Sequence, residues 1–231
     1  MNKPVIIALD FPDERRTLDF CAQLSPELCR LKIGKELFTA SGRSLVEKLI
    51  NKGFDVFLDL KYHDIPNTVA SACRVAAQMG VWMVDIHASG GRRMMEAAAN
   101  ASAQESHKPL LIGVTVLTGM EQSDMAEIGI NDKIENQVLR LAQLAYESGL
   151  DGTVSSAQEA ALLRRHIGDD FVLVTPGIRL TKNNNDDQRR IMTPTEAIAA
   201  GSSYLVIGRP ITQAEDPLAV LAQINRDIQA A

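Results

Sequence analysis

Cysteine is scarce in this sequence, and no two cysteines stand at metal-binding spacing. The chain has Cys21, Cys29 and Cys73, with no CxxC pair among them. An odd and widely spaced set argues against a disulfide framework, and the missing CxxC pair argues against a structural zinc site. Unpaired thiols suit a reducing compartment, so we expect a cytoplasmic protein.

An excess of positive charge is also absent. The 231 residues carry a formal net charge of −5. No global basic field would therefore attract nucleic acid or an anionic membrane surface, and we expect neither as a partner. If the ligand is an anion, a local group of charges must attract it.

Long apolar runs are missing as well. The amino-terminal stretch MNKPVIIALD has only a short apolar segment before Asp10. That segment is too short for the core of a signal peptide or for a membrane span. This absence also favours a cytoplasmic protein.

Short apolar runs of strand length, rich in valine, isoleucine and leucine, recur along the whole chain. Most are continuous rather than alternating, which is typical of strands buried on both faces of a parallel sheet. The runs cover residues 5–9, 29–34, 55–61, 81–87, 110–117, 152–156, 171–175 and 204–208.

Helical patterns fill the intervals between these runs. Residues 134–149, for example, space Ile134 and Val138 at a helical interval and end at Gly149. Repeated strand–helix units predict an α/β fold, a (β/α)8 TIM barrel that forms a single domain over residues 1–231. A doubly wound open sheet is the alternative, but the segment LDFPDER after the first run lacks a glycine-rich dinucleotide fingerprint.

Charged residues stand at the predicted strand ends, where such barrels place their chemistry. In DVFLDLKYHDI, Asp59 and Lys61 are two residues apart, so they share a face, which should be the barrel interior. Lys32, Asp10 and Asp64 extend the group. Alternating carboxylates keep each lysine protonated, and such a lysine can act as a general acid and stabilise a carbanion. A structural Asp59–Lys61 ion pair is the alternative.

A second signal lies in the segment YLVIGRPIT. Gly208 lets a ligand approach the backbone, and Arg209 offers a guanidinium group. Because barrels often bind phosphate after strands seven and eight, we predict a phosphate site here. A turn glycine beside a surface arginine is the alternative. The long polar stretch 177–192 is predicted to be a lid.

Seven stretches match the motifs of one enzyme family, in order, along nearly the whole chain. They are ALD at 8–10, RLKIG at 30–34, DLKYHDIPNT at 59–68, HASGG at 87–91, VTVLT at 114–118, TPGIR at 175–179 and IGRPI at 207–211. In these stretches the chain resembles the orotidine 5′-monophosphate decarboxylase family. The pattern D-x-K-x-x-D alone is less specific, because the related 3-keto-L-gulonate 6-phosphate decarboxylases carry it too.

The resemblance implies a barrel of the ribulose-phosphate-binding type and a reaction that needs no cofactor and no metal. That reaction converts orotidine 5′-monophosphate to uridine 5′-monophosphate and CO2, the last step of de novo pyrimidine synthesis. The resemblance also implies a homodimer with active sites shared across the interface, since Asp64 and Thr68 would reach into the partner's site.

The resemblance further assigns roles by position in the motifs. Lys61 would donate a proton to C6, Asp59 would lie beside the substrate carboxylate, and Lys32 would link the charged group to the ribose. With Asp64, these are the implied catalytic residues. The other implied substrate contacts are Asp10 at the ribose, Thr68, Thr118 at the pyrimidine, and Pro176, Arg179, Gln188, Gly208 and Arg209 around the phosphate.

Two features depart from the family's pattern. Asp85 stands where an uncharged residue is expected, and strand alternation points it to the same face as His87. It either orients that imidazole or is a tolerated variant. The Asn/Asp tract at 183–187 leaves Gln188 and Arg189 as alternatives for the loop residue that reaches the phosphate.

Two other functions remain open on the same barrel. A metal-dependent enzyme of sugar phosphates, such as a gulonate-phosphate decarboxylase or a pentose-phosphate epimerase, would need a metal site. No His/Asp spacing in the sequence matches one. A non-catalytic barrel that binds a phosphate ligand is the third reading, in which Lys61 has no chemical role.

Overall fold

Eight parallel strands form a closed barrel in the computed structural model, which describes residues 3–180 and 192–230. The strands pair in sequence order, and the last pairs with the first. They are β1 Val5–Ala8, β2 Arg30–Gly34, β3 Val56–Tyr62, β4 Met83–His87, β5 Leu110–Val114, β6 Gly152–Val154, β7 Val172–Thr175 and β8 Tyr204–Ile207. The predicted (β/α)8 barrel is confirmed, and the open-sheet alternative is wrong because β8 closes onto β1.

Helices follow each strand and cover the outside of the barrel. Proline occupies the first turn of several of them, where its missing N–H has no intrahelical partner to lose. The helices are α1 Glu14–Cys21, α2 Lys35–Asn51, α3 Pro66–Gln78, α4 Arg92–Ala103, α5 Gln122–Glu127, α6 Ile134–Glu147, α7 Ala160–Ile167, α8 Pro194–Ala199, α9 Arg209–Thr212 and α10 Pro217–Gln229. None of the helices in the described ranges has the length and hydropathy to cross a bilayer.

Two separate apolar cores explain why the strand runs are continuous rather than alternating. The larger core packs outward-facing strand residues, such as Leu31 and Leu58, against the helices. The smaller core fills the barrel interior and forms the floor below the carboxyl end of the strands. Its buried members are Ile6, Ala8, Phe57, Met83, Ile112, Val174 and Val206.

A stacked cluster lies at the amino end of the barrel. The Arg30 guanidinium carbon lies 4.3 Å from the centroid of the Trp82 ring and 4.9 Å from that of Tyr204. Its Nε also lies 3.2 Å from a carboxylate oxygen of Asp55. Cation–π contacts and this ion pair hold together the starts of four strands.

Gly152 on β6 is required by the close approach of β7. A Cβ added there would lie 2.6 Å from Val172 Cβ and would collide with the Val172 carbonyl oxygen. We expect Gly152→Ala to lower the free energy of unfolding by about 2 kcal/mol or more, because the β7 backbone must move. Urea denaturation followed by circular dichroism measures this loss.

Gly119→Ala is the matched control, because a Cβ added at Gly119 has no atom within 4 Å. It should change the free energy of unfolding by less than about 0.5 kcal/mol. Equal effects of the two substitutions would contradict the steric explanation.

Candidate active site

A cavity of about 690 Å³ opens at the carboxyl end of the barrel. This volume lies in the range of small-molecule sites. Residues from seven of the strands and their following loops converge on it, as the barrel topology predicts. The sequence-predicted site residues that line it are Asp10, Lys32, Asp59, Lys61, Thr118, Pro176, Arg179, Gly208 and Arg209.

Asp59 lies between two ammonium groups at the base of this cavity. Its Oδ2 lies 3.0 Å from Lys32 Nζ, and its Oδ1 forms an ion pair with Lys61 Nζ. Lys32 Nζ also lies 3.8 Å from Asp10 Oδ1. The four side chains therefore form an alternating row of charges, Asp10–Lys32–Asp59–Lys61, in which each ammonium group contacts a carboxylate.

The row of charges stabilises its own ionised state. Burial alone would lower the pKa of the Lys32 ammonium group, but Asp59 and Asp10 raise that pKa above its ordinary value. Burial alone would raise the pKa of the Asp59 carboxyl, but Lys32 and Lys61 bring it well below its usual range. At neutral pH the centre of the row is therefore Lys32⁺ beside Asp59⁻.

Lys61 leaves the regular geometry of β3. The pairing of β3 with β4 is regular up to Leu58 and resumes at Tyr62, so residues 59–61 face a single β4 residue, Asp85. Such bulges re-aim side chains next to active sites. Lys61 has a φ of 52°, in the left-handed region, and is the one non-glycine residue with positive φ in the described ranges. This conformation costs about 1–2 kcal/mol, so surrounding contacts must hold it.

Asp85 supplies one of these contacts, which the sequence analysis missed. Its side chain is fully buried, and its Oδ1 accepts a hydrogen bond from the Lys61 backbone N–H at 2.8 Å. Its Oδ2 lies 3.9 Å from Lys61 Nζ. The prediction that Asp85 orients His87 is therefore wrong. Strand alternation assumes that β3 and β4 pair regularly. The bulge in β3 breaks that pairing opposite Asp85, so that the Lys61 backbone faces the Asp85 side chain.

His87 carries no charge at physiological pH. It is half-buried at the end of β4, and its ring centroid lies 5.4 Å from that of His63. Burial, together with the neighbouring His63, lowers the pKa of the His87 imidazole to about 4. Because the His87 ring is neutral, the charged donors beside Asp59 are Lys32 and Lys61.

The opposite part of the wall carries arginines and a short helix. Arg179 follows β7, and Arg209 follows β8 and begins α9, so the two loops named as a phosphate site both reach the cavity. A Cβ added at Gly208 would make only ordinary contacts, 3.5 Å from Ala8 Cβ and 3.6 Å from Asp10 Oδ2. The protein itself thus leaves room beside the Gly208 backbone. Gln213 also lines this region and was missed.

The rest of the wall is apolar and was not identified from the sequence. In the sequence these side chains cannot be told from ordinary core residues, because a strand pattern does not show which inward-facing residues border the cavity. An apolar wall strengthens the electrostatic interactions within the cavity. The additional apolar residues are Ala8, Phe57, Val114, Val116, Leu117, Val154, Val174 and Val206.

Two predicted site residues lie outside this cavity. Asp64 and Thr68 are exposed, and neither lines the cavity of its own chain. Asp64 Oδ1 accepts the N–H of Ile65 at 2.6 Å, just before α3 begins. The chain therefore turns away from its own site within three residues of Lys61.

Most of the predicted lid, with Gln188 and Arg189, lies outside the described residues. The two ends of that stretch are close together. The Arg179 N–H donates a hydrogen bond to the Met192 carbonyl at 3.0 Å, beside a parallel bridge between Ile178 and Met192. The loop thus leaves and returns at the edge of the cavity, next to Arg179.

The described residues offer no evident metal centre. Across 3–180 and 192–230, no group of three or more His, Cys, Asp or Glu side chains is arranged to hold a metal ion. Asp59 is instead engaged by two ammonium groups.

Comparison with protein-family models identifies the chain. The model of the "Orotidine 5'-phosphate decarboxylase / HUMPS family" matches residues 3–224. The chain belongs to this family. The resemblance drawn from its motifs is confirmed.

Similar proteins in this family are named orotidine 5′-phosphate decarboxylase. Orotidine 5′-phosphate decarboxylase of Neisseria meningitidis serogroup A is 72% identical over 96% of this chain and 91% of its own. That of Hydrogenovibrio crunogenus is 65% identical over 97% of this chain and 95% of its own. The crystal structure of the Lactobacillus acidophilus enzyme superposes with a TM-score of 0.87 at 37% identity, covering 98% of this chain and 99% of that one.

Asp59 should stabilise the fold as well as the site. We expect Asp59→Asn to lower the free energy of unfolding by about 3 kcal/mol at neutral pH, because it leaves two ammonium groups facing each other. The lowered pKa of Asp59 means that this contribution is present above about pH 4 and is lost as the pH falls further. Urea denaturation at several pH values measures both effects.

Asp19→Asn is the matched control. Asp19 makes the same kind of pair with Arg15 at 4.0 Å, but its side chain is 74% exposed. Its loss should change the free energy of unfolding by less than about 0.5 kcal/mol. An Asp59→Asn effect that stays constant down to about pH 3 would contradict the linkage argument.

Proposed function

We propose that this protein is a carboxy-lyase that converts orotidine 5′-monophosphate to uridine 5′-monophosphate and CO2, the last step of de novo pyrimidine synthesis. Relatives at 65% and 72% identity that bear this name support the assignment. The observation that carries it in the structure is the Lys61 ammonium group, paired with Asp59 at the base of a cavity of about 690 Å³.

Lys61 performs the chemical step. Cleavage of the bond between C6 and the carboxylate leaves an electron pair on C6, in the plane of the ring, where no adjacent π system can accept it. An ammonium group held at that carbon stabilises the developing charge. It then transfers a proton to C6, which forms the new C–H bond, and the neutral amine regains a proton from solvent.

Asp59 acts by holding the Lys61 ammonium group in place. Its carboxylate contacts both lysines, so neither ammonium group is free to swing away without leaving a buried charge unpaired. It also lies beside the substrate carboxylate, which it repels. The mechanism rests on the Lys61 ammonium group and not on this ground-state repulsion.

The remaining substrate contacts divide between the two ends of the nucleotide. Lys32 and Asp10 bind the ribose, and Thr118 binds the pyrimidine. Phosphate binding is remote from the bond that breaks, so its energy, with closure of the loop, favours the assembled and water-poor site. The groups around the phosphate are Pro176, Arg179, Gly208 and Arg209, together with either Gln188 or Arg189 of the loop.

The working unit is a homodimer in which each chain completes the other's site. Asp64 and Thr68 support this, because both are exposed and lie outside their own cavity. Apolar side chains on the same segment are exposed too, Ile65 at 67% and Val75 at 47%. A second copy that covers them would bury this apolar surface and receive Asp64 and Thr68.

Composition supports a cytoplasmic location for the protein. The three cysteines are buried and free, which suits the reducing cytoplasm. A net charge of −5 gives no general attraction for nucleic acid. The anionic substrate is instead attracted locally by the lysines and arginines that line the cavity.

The decarboxylation itself is tested by the absorbance of orotidine 5′-monophosphate, which should fall when pure protein is added. We expect Lys61→Ala to lower kcat by about 10³-fold or more, since it removes both the stabilising charge and the proton donor. EDTA should leave the wild-type rate unchanged.

Lys108→Ala is the control, because Lys108 is exposed and lies outside the cavity. It should retain the wild-type rate. No turnover by the wild-type protein would refute the proposed function, and loss of activity in EDTA would favour a metal-dependent enzyme of sugar phosphates.

Mixed dimers test the shared site. Lys61→Ala and Asp64→Ala homodimers should each be nearly inactive. A heterodimer of the two has one site with both residues intact, so an equal mixture that exchanges subunits freely should recover about a quarter of wild-type activity. Heterodimers that form and yet recover no activity would show that Asp64 acts within its own chain.

A further inference from the structure

Asp85 is a buried carboxyl group that the proposed mechanism does not use. It lies in the middle of β4 with no exposed surface, directly opposite the bulge that contains Asp59 and Lys61. A buried carboxyl beside a reacting lysine is costly to keep, so its contacts should show what it does.

The first oxygen of Asp85 substitutes for a strand carbonyl. In a regular ladder, the N–H of Lys61 would be paired with the backbone of the neighbouring strand. Here three β3 residues face one β4 residue, and the N–H of Lys61 donates to Asp85 Oδ1 at 2.8 Å instead. This bond holds the backbone of Lys61 at its φ of 52°. Asp85 thereby sets the direction in which the Lys61 side chain leaves the strand.

The second oxygen lacks a hydrogen-bond donor. Asp85 Oδ2 is buried, and no donor among the described residues makes a hydrogen bond to it. Lys61 Nζ is 3.9 Å away, beyond hydrogen-bond distance. The Asp59 carboxylate lies beside it, and Asp59 is ionised because it contacts two ammonium groups. Two carboxylates side by side repel each other, whereas a carboxylic acid can donate a hydrogen bond to a carboxylate.

The charges around Asp85 also favour its neutral form. Asp59 and the more distant Asp10 balance the charges of Lys32 and Lys61, so an ionised Asp85 would make the row negative and repel the substrate carboxylate. Burial raises the pKa of Tyr62 and Cys73, the other titratable neighbours, to about 12, so both are neutral. Burial and then Asp59 raise the pKa of Asp85 itself, against the opposing effect of Lys61.

We propose that Asp85 is a positioning residue that acts as a neutral acid: Oδ1 fixes the left-handed backbone of Lys61, and Oδ2 carries a proton that it donates toward Asp59. This inference rests on the proposed function for the role of Lys61. It also accounts for the aspartate at a position where the motif favours an uncharged residue, because the side chain is uncharged in the folded protein.

Asparagine at this position separates the neutral acid from the ionised one. Its amide oxygen can accept the Lys61 N–H, its NH2 group can donate toward Asp59, and it has no charge. We expect Asp85→Asn to keep kcat within about threefold of wild type. Asp85→Ala leaves the Lys61 backbone without its acceptor, and should lower kcat by about tenfold or more with a smaller change in KM.

Asp151→Ala is the matched control for the alanine variant. Asp151 Oδ2 accepts the backbone N–H of Leu111 at 2.7 Å, so the same type of bond is lost on a strand outside the row of charges. Its kcat should stay within about twofold of wild type. An Asp85→Asn variant as impaired as Asp85→Ala would overturn the proposal, since the charge would then be needed. A folded Asp85→Ala variant with full kcat would overturn it as well.

A second measurement tests neutrality without relying on turnover. A carboxyl whose pKa is raised on folding is protonated in the folded chain and ionised in the unfolded chain, so its contribution to stability declines as the pH rises above about 4. The unfolding constant of wild type, divided by that of Asp85→Asn, should therefore rise by up to about tenfold per pH unit between about pH 5 and 7.

A ratio that stays constant over this range would overturn the neutral-acid assignment, even if the alanine variant does not fold. The two proposals can fail separately. If wild-type protein does not turn over orotidine 5′-monophosphate, the proposed function fails, while the dependence of the unfolding constants on pH still decides the protonation of Asp85.

Discussion

The contact of one buried carboxylate with two ammonium groups governs the architecture of this site. Asp59 stands between Lys32 and Lys61, and each of the three charges would be costly in the barrel without the others. The lysines keep Asp59 ionised, and Asp59 raises the pKa of Lys32 and separates the two ammonium groups. The bulge in β3, the left-handed backbone of Lys61 and the burial of Asp85 all bring this contact about.

The barrel contributes two things to that contact. Its sequential strand order pairs β2 with β3, and Gly34 with Asp59, so that Lys32 on one strand can reach a carboxylate on the next. Its packed interior provides an apolar floor and wall, in which charges interact more strongly than in water.

The charged residues at the end of β3 point in two different directions. Asp59 and Lys61 face the cavity of their own chain, whereas Asp64 lies on an exposed turn before α3. This change of direction within three residues supports the proposed dimer, in which Asp64 would reach the site of a second chain.

The sequence alone determined the eight strands, because continuous apolar runs depend only on local periodicity. The spacing of two also predicted that Asp59 and Lys61 face the same cavity, although Lys61 reaches it through a bulge and not through regular alternation. Tertiary structure decided what lies across from each residue. Periodicity directed Asp85 toward His87, but the bulge placed it against the Lys61 backbone. Inward-facing valines such as Val114 and Val154 were indistinguishable from core until the closed barrel showed which of them border the cavity. Strand register and barrel closure join distant segments, and no local pattern encodes them.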